Sequence, residues 1–136
     1  MSARSKARKR ALDMLYAADL RGVPAIEVLD QEAVRARTQP EREASWAYGR
    51  EIVLGVIERS GEIDETIASH ARGWTLERMP ATDRAILRIA VWEILFNDEV
   101  PDSVAIAEAV ESATVLSTDD SAGFINGVLG AVAASR

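Results

Sequence analysis

The amino-acid sequence predicts an all-α fold, a compact single domain of six or seven helices around one central buried helix. Apolar residues recur at helical spacing along most of the chain, and no stretch of useful length alternates apolar and polar residues as a strand would. The stretch Asp83–Phe96, DRAILRIAVWEILF, carries apolar residues around most of a helix circumference. A surface helix has a single apolar stripe, so we expect this helix to lie in the core.

Helix breakers divide the chain before this central helix. The first helix is predicted from about Ser5 to Gly22, and Pro24 then starts a short second helix. The inward-facing residues of the second helix are predicted to be Ile26, Leu29 and Val34. A long amphipathic run follows from Pro40, and Ser60–Gly61 marks a kink or a break in it.

The central helix has Thr82 as its expected N-cap, and two further helices follow it. Pro101 and Asp102 open the first of these, and Ser117–Asp120 fits a capping box for the last. Three glycines on the last helix suggest close helix packing, within the domain or in a homodimer. They are Gly123, Gly127 and Gly130.

Composition excludes several classes of protein. A chain of 136 residues, 48% hydrophobic and 28% charged, suits one domain spanning residues 1–136. It has neither a long uncharged apolar run nor a signal peptide pattern, which predicts a cytoplasmic protein with no membrane segment. Cysteine is absent and His70 is the single histidine, so we expect no cofactor or metal site. No catalytic motif occurs, and we do not expect an enzyme.

Charge is distributed unevenly along the chain. The formal net charge is −6, but the first ten residues carry five cations and no acid, which leaves −11 for the rest. The cations of this basic arm, residues 1–10, are Arg4, Lys6, Arg8, Lys9 and Arg10. A basic arm on an acidic body predicts a localised site for a polyanion. Like charges one turn apart disfavour a helix, so the arm is expected to fray until an anion binds.

Three segments, in matching order and spacing, resemble the NusB family of bacterial antitermination factors. They are Ala7–Tyr16 (ARKRALDMLY), Asp83–Phe96 with Val100–Ala113 (VPDSVAIAEAVESA), and Asp119–Gly130 (DDSAGFINGVLG). The resemblance implies an all-α, non-catalytic adaptor that pairs with NusE, a ribosomal protein acting outside the ribosome. The pair is expected to bind boxA, a single-stranded RNA element of ribosomal RNA leaders, and to help keep RNA polymerase from terminating.

The resemblance also implies an RNA-binding surface in two groups. The family's arm contacts fall on Arg4, Lys6, Arg8 and Lys9, to which the run of charge adds Arg10. The contacts outside the arm fall on Asp83, Arg88, Asp120 and Phe124. These residue types suit unpaired RNA, because cations neutralise phosphates, aromatic rings stack on bases and carboxylates read base edges. Five cations limit the arm's slope of log K against log salt to about −3.5.

Each residue outside the arm also has a structural interpretation. Arg88 suits an ion pair with a neighbouring carboxylate, Asp83 and Asp120 suit helix N-termini, and Phe124 suits the core by its spacing. Glu93 on the central helix is expected to be a buried acceptor that ties helices together. Two other functions stay open: the RNA-positioning domain of a ribosomal RNA methyltransferase, although this chain has no room for a catalytic part, and a structural homodimer with an incidental arm.

Overall fold

A computed structural model describes residues 2–136, and every regular element in that range is helical. The seven α-helices are α1 (Ala3–Arg21), α2 (Ala25–Arg37), α3 (Glu43–Glu58), α4 (Ser60–His70), α5 (Ala81–Phe96), α6 (Asp102–Leu116) and α7 (Ser121–Ser135). Single 3-10 turns at Pro40–Arg42 and Leu76–Arg78 precede α3 and α5. The predicted all-α fold is therefore confirmed. Across residues 2–136, no helix combines the length and the apolar character needed to cross a bilayer.

Helix α5 is the centre of the fold, as its composition predicts. It packs against α1, α3, α4, α6 and α7, and ten of its sixteen residues are buried. It begins at Ala81, directly after Pro80. Thr82 lies inside the first turn, so its predicted role as the N-cap is wrong. Leu87 and Val91 are completely buried. Burial of one such apolar side chain stabilises the fold by about 1.5–3 kcal/mol.

Two glycines of α3 allow close contacts that the sequence analysis did not single out. A Cβ atom on Gly55 would lie 2.0 Å from Nε1 of Trp92, so the glycine makes room for the indole of α5. A Cβ atom on Gly49 would lie 3.2 Å from the carbonyl oxygen of Ala7 on α1. The three glycines of α7 behave differently, because all are exposed and an added Cβ would meet nothing within 4 Å. These are Gly123, Gly127 and Gly130. Their predicted close packing within the domain is wrong, and the homodimer remains a prediction.

Helix α2 buries a narrower face than its sequence suggests. Leu29 is buried as predicted, and Val28 beside it is buried as well. Ile26 and Val34 are 41% and 62% exposed, so their predicted inward orientation is wrong. The reason is that α2 packs against only α1, α3 and the turn before α3, at the edge of the domain.

The predicted break before α4 is confirmed, and the predicted capping box before α7 is wrong. Helix α3 ends at Glu58 and α4 begins at Ser60, so the long amphipathic run is broken at Arg59, next to the predicted break at Ser60–Gly61. The predicted capping box before α7 does not form, because no side chain caps that helix. The Ser117 hydroxyl is directed to α5 instead, where it meets Asp83.

Candidate nucleic-acid interface

The basic arm is the first part of α1 rather than a separate segment, and its residue 1 lies outside the described residues. The Ser2 hydroxyl caps the helix by accepting the N–H of Ser5 at 3.0 Å. The Ser5 hydroxyl donates to Glu108 of α6 at 2.7 Å, which fastens the first turn to the body. The expectation of a frayed arm is therefore wrong, since capping and this contact offset the repulsion between the cations.

Arg8 is the cation of the arm that faces the core. It is only 7% exposed, and its Nε donates to both carboxylate oxygens of Glu93 at 3.0 Å. Its Nη2 also lies 3.0 Å from Oε2 of Glu93, but neither N–H of Nη2 points at that oxygen. This contact is therefore an ion pair without a hydrogen bond. Burial opposes the charge on Arg8, yet Glu93 and then Glu108 outweigh it and raise the pKa of the guanidinium. The prediction of Arg8 as an exposed RNA contact is wrong, because the side chain ties α1 to α5.

Glu93 is the centre of a buried polar network, as expected from its place on the core helix. The Tyr48 hydroxyl donates to Glu93, and the Asn97 amide donates to the Tyr48 oxygen at 3.0 Å. Burial and the hydrogen bond to Glu93 raise the pKa of the Tyr48 phenol, which stays protonated as a donor. A buried carboxylate with a guanidinium and a phenol as donors is well satisfied. This network is structural, because it ties α1 and α3 to α5.

Three of the other arm cations remain near the surface of α1. Lys6 is exposed and takes part in no ion pair within residues 2–136. Lys9 pairs with Asp13 one turn along the same helix at 2.6 Å, and Arg10 donates to the Ser45 hydroxyl at 2.7 Å. An exposed ion pair contributes at most about 1 kcal/mol, so an RNA phosphate can replace the carboxylate partner of Lys9.

Arg4 completes the exposed cations of the arm. Its guanidinium lies 4.6 Å from the centre of the Tyr48 ring and 3.2 Å from Glu99. Tyr48 belongs to the buried network, whereas Glu99 is exposed. With Arg8 buried, four arm cations remain available to phosphates. The expected limit for the slope of log K against log salt therefore changes from about −3.5 to about −2.8.

The residues predicted outside the arm do not form one charged surface. Asp83 is 3% exposed and accepts hydrogen bonds from the hydroxyls of Ser117 and Ser121. Arg84 and Arg88 point away from it, towards α1 and α4. Neighbouring positions on a helix differ by about 100°, so Asp83 and Arg84 meet different elements. Asp83, Arg84 and Arg88 therefore form no common charged surface at the start of α5.

Arg88 is engaged by carboxylates. Its Nε and Nη2 lie 2.9 and 3.1 Å from the two carboxylate oxygens of Asp64, a paired arrangement that suits the planar guanidinium. Nη1 lies 3.5 Å from Asp19. Burial opposes the charge, but the hydrogen bond to Asp64 outweighs it and raises the pKa of Arg88. The geometry thus supports the structural interpretation of Arg88 and adds nothing to its prediction as an RNA contact.

Asp83, Asp120 and Phe124 do come together. They line an open cleft of about 420 Å³ between the segment before α5, the start of α5 and the start of α7. We call it the α5–α7 cleft. Asp120 is exposed, and Phe124 is half-buried and lines the cleft. Residues 2–136 contain no group of three acidic or histidine side chains placed to hold a metal ion.

Two further residues of the α5–α7 cleft were not predicted as site residues. The ring of Trp74 packs edge-on against Phe124, with the ring centres 6.1 Å apart, and Trp74 is 51% exposed. Arg78 is exposed at the same cleft. The only sign of Trp74 in the sequence was that it lies outside any helical pattern. The sequence alone could not connect it with Phe124, which lies fifty positions later.

The arm and the α5–α7 cleft lie at opposite ends of α5. Helix α1 runs antiparallel to α5, because Arg8 pairs with Glu93 near one end and Asp19 pairs with Arg84 near the other. Asp83 and Glu93 are separated by about 15 Å along the helix axis. A ligand that touches both sites must therefore be extended.

Comparisons with known proteins agree with this architecture. The family model described as the NusB family matches residues 5–134. The transcription antitermination protein NusB of Leifsonia xyli subsp. xyli is 65% identical over 136 residues, which cover 100% of this chain and 94% of that protein. That of Clavibacter sepedonicus is 59% identical over 100% of this chain and 99% of that protein.

Solved structures give the same result. A structure of T. maritima NusB is 28% identical with a TM-score of 0.86, covering 100% of this chain and 94% of that one. A structure of the antitermination factors NusB and NusE in complex with dsRNA contains a chain that is 26% identical with a TM-score of 0.85, covering 100% and 99%. The fold is thus that of the small all-helical antitermination factors. The chain belongs to the NusB family.

Proposed function

We propose that this protein is a non-catalytic transcription antitermination factor, a single domain spanning residues 1–136. In this proposal it binds single-stranded boxA RNA of ribosomal RNA leaders together with NusE and helps RNA polymerase to avoid termination. The observation that carries the proposal is the match, over 100% of the chain, to a chain in a structure of NusB and NusE in complex with dsRNA. The preference for single-stranded boxA is what the family resemblance implies.

The charge distribution supports binding at a defined place. The body carries all of the acidic residues, which disfavour RNA over much of the surface. In contrast, Arg4, Lys6, Lys9 and Arg10 lie in the first two turns of α1. At the other end of α5, Phe124 offers an aromatic surface and Asp120 a hydrogen-bond acceptor. Cations for phosphates and aromatic rings for bases are what unpaired RNA requires.

The adaptor is favoured over the RNA-positioning domain of a methyltransferase. The relatives from Leifsonia and Clavibacter, both named as antitermination proteins, are matched over 94% and 99% of their own lengths. The chain thus matches antitermination proteins over nearly their whole length.

Fluorescence anisotropy with labelled boxA RNA tests the proposal, with and without purified NusE. We expect boxA to bind more tightly than a scrambled RNA of the same length, and NusE to increase the affinity. The same RNA annealed to its complement should bind more weakly, because paired bases cannot stack on side chains. No binding of boxA at low ionic strength, even with NusE, would contradict the proposal.

A further inference from the structure

The α5–α7 cleft combines the parts of a site for one unpaired nucleotide. We propose that Trp74 and Arg78 join Phe124 and Asp120 in binding one unpaired nucleotide of the RNA, with its base on the indole and its phosphate on the guanidinium. The inference rests on the proposed function and adds two residues to it. Its evidence is the geometry of the cleft.

Trp74 is held in place although it is half exposed. Gly73 before it has a φ of 80°, a conformation that other residues rarely adopt, and the Trp74 N–H donates to the Ala71 carbonyl at 2.9 Å. This turn fixes the indole beside Phe124. Because the two rings meet edge-on rather than face to face, they do not cover each other, and a base can stack against exposed ring surface. A large, fixed and exposed aromatic ring is the usual platform for an unpaired base.

The polar groups of the cleft suit the edge of a base. The exposed carboxylate of Asp120 can only accept hydrogen bonds, and Asp83 below it is already bound to two hydroxyls. Every RNA base has at least one N–H donor on the edge that is exposed when it is unpaired. Asp120 can therefore accept a hydrogen bond from a base that is stacked in the cleft.

Arg78 supplies the charge that a nucleotide needs. A phosphate placed near Asp120 alone would be repelled. Arg78 is exposed at the same cleft and has no ion-pair partner in the described part of the chain, so its guanidinium is available to the phosphate. Stacking surface, acceptor and cation are thus present within one cleft of about 420 Å³.

Binding of boxA RNA by full-length variants tests the role of Trp74 and Arg78. Trp74→Ala should weaken binding roughly tenfold with an unchanged salt slope, and Trp74→Phe should recover most of the loss, because stacking needs a flat ring and no charge. Arg78→Ala should reduce the salt slope by about 0.7, because one phosphate contact is lost. Val34→Ala on α2 is the control, an exposed apolar side chain outside the cleft, and should bind as the unaltered protein does. Thermal unfolding of each variant checks that the fold is retained.

Fluorescence tests the contact of Trp74 directly. RNA should quench tryptophan fluorescence of the unaltered protein, and the quenching should be smaller in Trp74→Phe.

The outcomes separate the two proposals. If the unaltered protein does not bind boxA even with NusE, the proposed function fails. If it binds boxA while Trp74→Ala and Arg78→Ala bind equally well, the proposed function stands and the nucleotide site is refuted.

Discussion

Helix α5 buries one carboxylate near each end, and the surroundings of the two differ. Glu93 is 1% exposed and is bound by the Arg8 guanidinium and the Tyr48 hydroxyl. Asp83 is 3% exposed and is bound only by the neutral hydroxyls of Ser117 and Ser121, at the edge of an open cleft. One end of the helix is a closed, charged junction between helices. The other end is a support for surface groups, which makes it the better place for a ligand.

The largest effect should come from the closed end. Glu93→Ala removes the carboxylate and leaves Arg8 buried without its partner, so we expect a loss of about 3–5 kcal/mol in the free energy of unfolding. Urea denaturation followed by circular dichroism measures it. The double variant Arg8→Met with Glu93→Leu should recover much of this loss, since it removes both charges and keeps apolar volume. A loss below about 1 kcal/mol in Glu93→Ala would show that the junction is not stabilising.

A smaller effect is expected at the open end. Asp83→Ala leaves two hydroxyls without their acceptor, and we expect a loss of about 1–3 kcal/mol in the same denaturation experiment. Asp120→Ala is the matched control at the rim of the cleft. Its carboxylate is exposed, so its effect should stay within about 0.5 kcal/mol. Equal losses in the two variants would contradict the view that Asp83 supports the cleft from below and that Asp120 is only a surface group.

Alkaline pH should distinguish the two ends as well. Burial and Glu93 raise the pKa of Tyr48 in the folded protein above its usual value of about 10. When pH rises above that value, the phenol ionises first in the unfolded chain, and this ionisation stabilises the unfolded state. The contribution of Tyr48 to the free energy of unfolding is therefore progressively lost. Melting temperatures from pH 8 to 11 measure the fall. Tyr48→Phe should remove the part of this fall that comes from the phenol. Tyr16→Phe leaves the hydrogen bond to Glu93 intact and should show the same fall as the unaltered protein.

The sequence predicts the centre of the fold better than the orientation of single side chains. The apolar circumference of Asp83–Phe96 identifies a core helix whatever its neighbours are, and it places Glu93 among buried groups. In contrast, Arg8 and Lys9 have the same charge and adjacent positions, but one is buried and the other is exposed. Only the position of α5 and α6 against α1 decides between them.

The candidate site shows the same limit. Asp120 and Phe124 are close in sequence, and the family resemblance placed both at the RNA surface, so their convergence could be anticipated. Trp74 could not be connected with them, because the cleft forms only when the turn after α4 packs beside α7. Arg88 was ambiguous for a similar reason, since its partner Asp64 lies on another helix.

The most direct test of RNA binding at both ends of α5 is a plot of log K against log salt for boxA RNA. The account predicts that Lys6→Ala combined with Lys9→Ala reduces the slope by about 1.4, because two phosphate contacts are lost. Phe124→Ala should weaken binding at every salt concentration and leave the slope unchanged, because stacking involves no counterion. An unchanged slope in the double lysine variant, or full affinity in Phe124→Ala, would contradict the account.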